Sequence, residues 1–105
     1  MKKYLKFIFY PICLLSLNLT ALDLERLNLE EGFSISIFAE NLDSPRQMAE
    51  GKNGTIFVGE RNGKIIALRD LDNNGQVDLK IIVAEGLTYS TGVSLFDGDL
   101  YFSEI

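Results

Sequence analysis

The chain of 105 residues contains no histidine and no tryptophan, and it has a single cysteine and two prolines. Without histidine, the commonest general base is missing, and neither a Ser-His-Asp set nor a Cys-His pair can form. Because Cys13 is the only cysteine, no disulfide can form within the chain. A stable fold must therefore come from the packing of apolar side chains.

The N-terminal segment has the order of regions that is typical of a secretory signal peptide. Three lysines are followed by an apolar stretch, Leu5–Leu19, and by the small residue Ala21. Polar residues and a proline interrupt the stretch, which is shorter than the roughly 20 apolar residues needed to cross a bilayer. We therefore predict a signal peptide at residues 1–21 and a periplasmic or secreted mature chain, residues 22–105, without a stable membrane span.

The mature part is acidic. Of the ten basic residues, three lie in the leader, and seven remain against fifteen acidic residues, which gives a net charge of −8. Such a surface repels polyanions and offers no basic patch for phosphate groups. Nucleic acid is therefore excluded as the expected partner.

Two segments of the chain occur twice. Ile37–Leu42 returns 45 positions later as Ile82–Leu87, and Gly54–Glu60 returns 44 positions later as Gly98–Glu104. A gap of one residue reconciles the two offsets. Self-similarity at this period, carried by short runs with strand character, is typical of β-propeller blades.

The pattern of apolar residues and turns predicts an all-β fold without a long helix. Asn53-Gly54 and Asn62-Gly63 are strong hairpin signals. Residues 22–31 are compatible with a short helix or with an extended segment. Strands are predicted at residues 33–37, 46–50, 55–60, 65–68 and 77–83.

These strands form antiparallel units of four, so residues 22–105 are expected to be the first one and a half blades of a truncated β-propeller, while a β-sandwich is the alternative. Because one and a half blades leave neighbouring positions empty, we expect apolar side chains to remain uncovered at Ile56, Val58, Ile66 and Leu100.

One loop has the spacing of a calcium site. Asp70, Asp72 and Asn74 alternate, and Asp78 stands at the ninth position of the EF-hand pattern. The twelfth position, normally a glutamate, is an apolar strand residue, and strands rather than helices flank the loop. Two interpretations remain open: a calcium site formed by these four residues, or a polar hairpin turn without a metal.

Other polar residues occupy positions where a propeller can bind ligands. Arg46 and Gln47 begin a predicted inner strand, and residues 90–92 occupy the corresponding stretch of the second repeat. They either line the mouth of a central channel or serve as turn residues. Glu60 and Glu104 end equivalent strands on different units, so they do not indicate a paired-carboxylate site.

The chain resembles the N-terminal part of the glucose/sorbosone dehydrogenase family from Glu31 to Ile105. The resemblance implies an exported six-bladed propeller that oxidises the C1 carbon of a sugar by hydride transfer to pyrroloquinoline quinone (PQQ), with calcium as a second cofactor. The motifs that carry it are Gly32-Phe33, Ser44–Ala49, Ile56–Arg61 followed by Gly63–Ile65, and Gly86-Leu87 before Gly92-Val93.

In that family a histidine acts as the general base, and this chain has none. We therefore expect the chain alone to be inactive, with no catalytic residue of its own and with its cofactor-binding residues unassigned. The alternatives are a non-catalytic NHL-like propeller that binds a partner or glycan, and the product of a degraded gene.

Overall fold

A computed structural model describes residues 23–105, so the predicted signal peptide lies outside the described residues. The described residues belong to two units, which divide after Phe33. In the described part of the first unit, Leu24–Arg26 form one turn of 3₁₀ helix. No helix within residues 23–105 combines the length and the apolar character that a membrane span requires.

The second unit consists of antiparallel β-sheet, which confirms the all-β prediction. Four strands form one sheet in the order β1-β2-β3-β4, and two strands form a second sheet, β5-β6. Every connection between neighbours within a sheet is a hairpin. The strands are β1 Pro45–Glu50, β2 Ile56–Glu60, β3 Lys64–Arg69, β4 Leu79–Ala84, β5 Gly92–Phe96 and β6 Asp99–Ser103.

The predicted Asn-Gly turns lie where the chain reverses. Between β1 and β2, Asn53 and Gly54 both have positive φ, 60° and 69°. Between β2 and β3, Gly63 has a φ of 88°. Asparagine and glycine tolerate this left-handed region better than other residues, so the local sequence determines where the strands end.

The strand predicted at residues 33–37 is absent from the structure. An alternating pattern determines which side chains share a face, but a strand also needs a neighbouring backbone to pair with. In this region Phe33 N–H donates to the nearby carbonyl of Glu30 at 3.1 Å, and the carbonyl of Phe38 accepts from Val77 N–H at 2.9 Å. The segment from Phe38 onwards packs against the face of the first sheet instead of extending its edge.

A hydrophobic cluster lies on that face of the four-stranded sheet, and Ile65, Ala67 and Val93 are buried as well. Val58, Ile66 and Leu68 are buried there, on the two central strands. The expectation that Val58 and Ile66 stay uncovered is wrong, because the chain before β1 and the start of the segment leading to β4 fold over them. The partly buried residues that cover this core are Phe38, Ala39, Leu42, Ile56 and Val77.

The second hairpin repeats the first in its pairing register. Beyond the matched pairs, the first hairpin encloses five residues, 51–55, and the second encloses four, 96–99. The one-residue gap in the sequence repeat therefore lies in the hairpin loop. The matched pairs are Gln47↔Gly59 with Gly92↔Ser103, Met48↔Val58 with Val93↔Phe102, Ala49↔Phe57 with Ser94↔Tyr101, and Glu50↔Ile56 with Leu95↔Leu100.

Strand β5 packs against β1 and β2, and Gly59 makes this approach possible. A Cβ atom at Gly59 would lie 2.9 Å from Cγ2 of Val93 and 3.2 Å from Oγ of Ser90. Both of these residues are buried. The absence of a side chain in β2 therefore allows the second hairpin to sit close to the first sheet.

Candidate functional site

The predicted calcium loop connects β3 to β4. Its two ends are tied together, because Asp78 N–H donates to the carbonyl of Arg69 at 2.9 Å. The carboxylate of Asp78 also accepts the N–H of Leu71 at 2.7 Å. The antiparallel pairing of β3 and β4 thus brings the two halves of the loop together.

Three of the four predicted ligands converge in this loop. Asp70, Asp72 and Asp78 each offer a carboxylate oxygen, and these oxygens lie within 4.8 Å of one another. Oxygen ligands of this kind suit calcium, and a cation would offset the mutual repulsion of the three charges. The loop has the donor set for the predicted site, and calcium binding stays a prediction.

The fourth predicted ligand, Asn74, is engaged in the loop's own hydrogen bonds. Its Oδ1 accepts from Gln76 N–H at 2.8 Å, and its Nδ2 donates to Asp72 at 3.2 Å. These are the contacts of a polar turn. The same residues therefore satisfy the turn interpretation without a metal.

Asp70 anchors the turn through its carboxylate. It accepts the N–H of Gly75 at 2.7 Å and that of Asn74 at 3.2 Å. Burial raises the pKa of Asp70, but the hydrogen bonds from these backbone groups and from its neighbours lower it by more, so the pKa lies below its ordinary value of 3.8. The turn thus holds this carboxylate in its charged form.

The lowered pKa of Asp70 predicts that the loop loosens in acid. A carboxylate with a depressed pKa stabilises the folded loop fully above its unfolded value, and this contribution is lost as the pH falls through the folded pKa. We expect the amide resonance of Gly75 to report a transition below pH 3.8 in NMR spectra. In Asp70→Asn that transition should disappear, and a transition unchanged by this substitution would contradict the assignment.

Calcium binding is tested by calorimetric titration of the chain with Ca²⁺. If the loop is a site, we expect a dissociation constant of about 10⁻⁴–10⁻³ M, as in weak extracellular modules. Asp72→Asn removes one charge and should weaken binding about tenfold. Asp99→Asn, an exposed aspartate outside the loop, is the matched control and should bind like the unsubstituted chain. If Asp72→Asn and Asp99→Asn give equal heats of Ca²⁺ binding, the loop is excluded as the calcium site.

A second group of predicted residues lies around a shallow cavity. Arg46 and Gln47 of β1 and Thr91, just before β5, line a space of about 430 Å³. Thr91 Oγ1 is 3.1 Å from Oγ of Ser103, which fixes the hydroxyl at the cavity wall. The start of β1 and Thr91, which occupy corresponding stretches of the two repeats, are therefore neighbours in space.

The two strand-ending glutamates have a structural role. Glu60 is buried, and its carboxylate accepts the N–H of Asp43 at 2.8 Å. In the second repeat, Glu104 accepts the N–H of Thr88 at 2.6 Å. In both hairpins the same interaction therefore ties the end of the second strand to the segment before the first strand. It forms with a buried acid, Glu60, and with an exposed one, Glu104. The repeated glutamate was the sequence signal for this tie.

The burial of Ser90 was not predicted from the sequence. Its hydroxyl is completely buried and has no hydrogen-bond partner among the described residues. Ser90 Oγ lies close to Gly59, 3.2 Å from the position that a Cβ atom would occupy there, and this contact depends on tertiary packing. A serine in a turn-like stretch gives no sequence signal for it.

No protein-family model, curated protein or solved structure matches the chain.

Proposed function

We propose that the chain forms the first blade and the inner hairpin of the second blade in a β-propeller related to the PQQ-dependent sugar dehydrogenases. The observation that carries the proposal is the repeated pairing register of the two hairpins. Strand β5 lies against β1, so the equivalent first strands of the two units are neighbours. Radial repetition of sheets with adjacent first strands is the arrangement of a propeller.

The Arg46 cavity is the region where we propose that the anionic quinone binds. The guanidinium of Arg46 can donate to a carboxylate, while Gln47 and Thr91 can donate to carbonyl oxygens. These groups orient and hold a ligand; they do not abstract a proton. The quinone would accept the hydride of the sugar, and the proton would require a general base, for which this chain has no histidine.

The proposal is tested by titrating the chain with PQQ and following the absorbance of the quinone. Arg46→Ala should weaken binding about tenfold, because a charge-assisted hydrogen bond is lost. Lys52→Ala removes an equal charge in the hairpin turn between β1 and β2, and it should leave binding unchanged. Failure of the unsubstituted chain to bind, or equal binding by Arg46→Ala, would overturn the assignment of the cavity.

Catalysis is tested separately with PQQ, calcium, an aldose and a reducible dye. We expect no turnover above that of free PQQ, since no histidine is present to act as the base. Turnover by the chain would contradict the proposal that it supplies scaffold and cofactor contacts without a catalytic residue.

A further inference from the structure

Three asparagines of the chain are followed directly by glycine: Asn53, Asn62 and Asn74. Such a pair can react with itself. The backbone nitrogen of the glycine attacks Cγ of the asparagine side chain, ammonia leaves, and a five-membered succinimide ring forms. Glycine offers no side chain that would hinder this attack. Whether each pair reacts therefore depends on how firmly the fold holds its two groups.

The attack needs freedom at the asparagine side chain and at the following backbone nitrogen. The side chain and the backbone must rotate until Cγ and the nitrogen meet. Hydrogen bonds that hold these groups elsewhere have to break first, and they add to the barrier. Restraint of both groups slows the reaction by about tenfold or more.

The fold restrains Asn62 at both groups. Its Nδ2 donates to Oδ2 of Asp43 at 2.9 Å, and Gly63 N–H donates to the carbonyl of Glu60 at 3.0 Å. Gly63 is also buried, and a Cβ atom there would overlap the backbone of Leu87. The backbone at this turn has no room to rotate.

The side chain of Asn74 is held at both ends by the β3–β4 loop. Oδ1 accepts from Gln76 N–H at 2.8 Å, and Nδ2 donates to Asp72 at 3.2 Å. The attacking nitrogen is held as well, because Gly75 N–H donates to Asp70 at 2.7 Å. Negative charge develops on the reacting atoms during the attack, and the neighbouring carboxylates oppose it.

Asn53 is the least restrained of the three asparagines. It lies in the turn Lys52–Gly54 between β1 and β2, where it and Gly54 are exposed. Thr55 N–H closes the turn on the carbonyl of Lys52 at 3.4 Å, a long hydrogen bond. No atom lies within 4 Å of the position that a Cβ at Gly54 would occupy. Within residues 23–105, no hydrogen bond holds the side chain of Asn53, so this turn opens at the lowest cost.

We propose that Asn53 is a modification site at which the folded chain deamidates itself, whereas the fold protects Asn62 and Asn74. A bond forms between the nitrogen of Gly54 and Cγ of Asn53, and the bond from Cγ to Nδ2 breaks. The proton of the attacking nitrogen passes through solvent to the departing group, which leaves as ammonia. Water then adds across one carbon–nitrogen bond of the ring and gives aspartate or isoaspartate. Either product adds a negative charge to the turn, and isoaspartate adds one carbon to the backbone.

Peptide mapping by mass spectrometry compares the three sites in one sample. The folded chain is incubated in mildly alkaline buffer, sampled over time and digested with pepsin in acid, where the cyclisation is slow. We expect Asn53 to deamidate about tenfold faster than Asn62 and Asn74. In concentrated urea the three rates should become similar, because each asparagine precedes a glycine and no fold restrains it.

The protection of Asn74 is tested with Asp70→Ala, which removes the acceptor of Gly75 N–H. The rate at Asn74 should rise about tenfold, and the rate at Asn53 should not change. Asp99→Ala changes an exposed aspartate outside the loop, and it should leave both rates as they are. Circular dichroism establishes that both variants are folded.

Three results would overturn the proposal. The first is a folded chain in which Asn62 or Asn74 reacts as fast as Asn53. The second is a folded chain in which Asn53 stays intact while the chain in urea reacts. The third is an unchanged rate at Asn74 in folded Asp70→Ala, which would remove the hydrogen bond to Gly75 as the source of protection.

Discussion

Replacing Gly63 with alanine should lower the free energy of unfolding by about 3 kcal/mol, the largest effect that we expect from a single methyl group in this chain. Gly63 has a φ of 88°, in the left-handed region that disfavours residues with a side chain. A Cβ atom there would also overlap the backbone carbonyl of Leu87. Because the obstructing atoms belong to the backbone of Leu87, a side-chain rotation cannot move them aside.

The contact matters because it joins the two repeats. The carbonyl of Gly63 accepts the N–H of Leu87 at 3.1 Å, and the N–H of Gly63 donates to the carbonyl of Glu60 at 3.0 Å. The turn between β2 and β3 thus holds the segment that leads into β5. A side chain at Gly63 would strain the turn and push this segment away.

Gly98→Ala is the matched control for Gly63→Ala. Gly98 has almost the same φ, 89°, but no atom lies within 4 Å of the position that a Cβ would occupy. Alanine there should cost only the conformational strain, about 1 kcal/mol. Urea unfolding monitored by circular dichroism gives both values, and equal losses would show that the Leu87 contact contributes nothing.

Most of the sheet was predictable from local sequence. Alternating apolar residues and two Asn-Gly turns predicted β1 to β4 to within about two residues, because turns with positive φ depend on nearest neighbours. The repeat also predicted that β5 and β6 would form a hairpin like that of β1 and β2. The offsets of the repeat indicated a gap of one residue, and the strand register shows that it lies in the hairpin loop.

The features that could not be predicted from the sequence depend on contacts between segments that are distant along the chain. The strand expected at residues 33–37 is absent because no neighbouring strand pairs with it. The alternation of apolar residues does not indicate whether a pairing partner exists. In the candidate site, the spacing of Asp70, Asp72 and Asp78 predicted their convergence, since one short loop holds all three. The cavity between Arg46 and Thr91 depends instead on the packing of β5 against β1, which local patterns do not encode.

The second large effect is expected at Ile66, in the centre of the core. Ile66 is 2% exposed and contacts the cluster formed with Val58 and Leu68. Ile66→Ala should lower the free energy of unfolding by about 3–4 kcal/mol, because it removes buried methyl groups and leaves a cavity. Denaturant titration gives the value directly.

The structure provides a matched control in the neighbouring strand. Ile82 of β4 pairs directly with Ile66 of β3 in the sheet register, but it is 51% exposed. Ile82→Ala removes the same atoms from a strand position of the same kind and should cost less than about 1 kcal/mol. Similar losses for the two variants would mean that the face bearing Ile66 is not covered in solution.

A double-mutant cycle identifies what covers that face. Phe38 packs against the cluster from the segment before β1, so Phe38→Ala and Ile66→Ala should not be additive. We expect a coupling free energy of about 1 kcal/mol, in the range measured for residues in direct contact. Independent effects would place the segment away from the sheet. Coupling would show that the residues before β1 close the core of the first sheet, although their alternation predicted a strand.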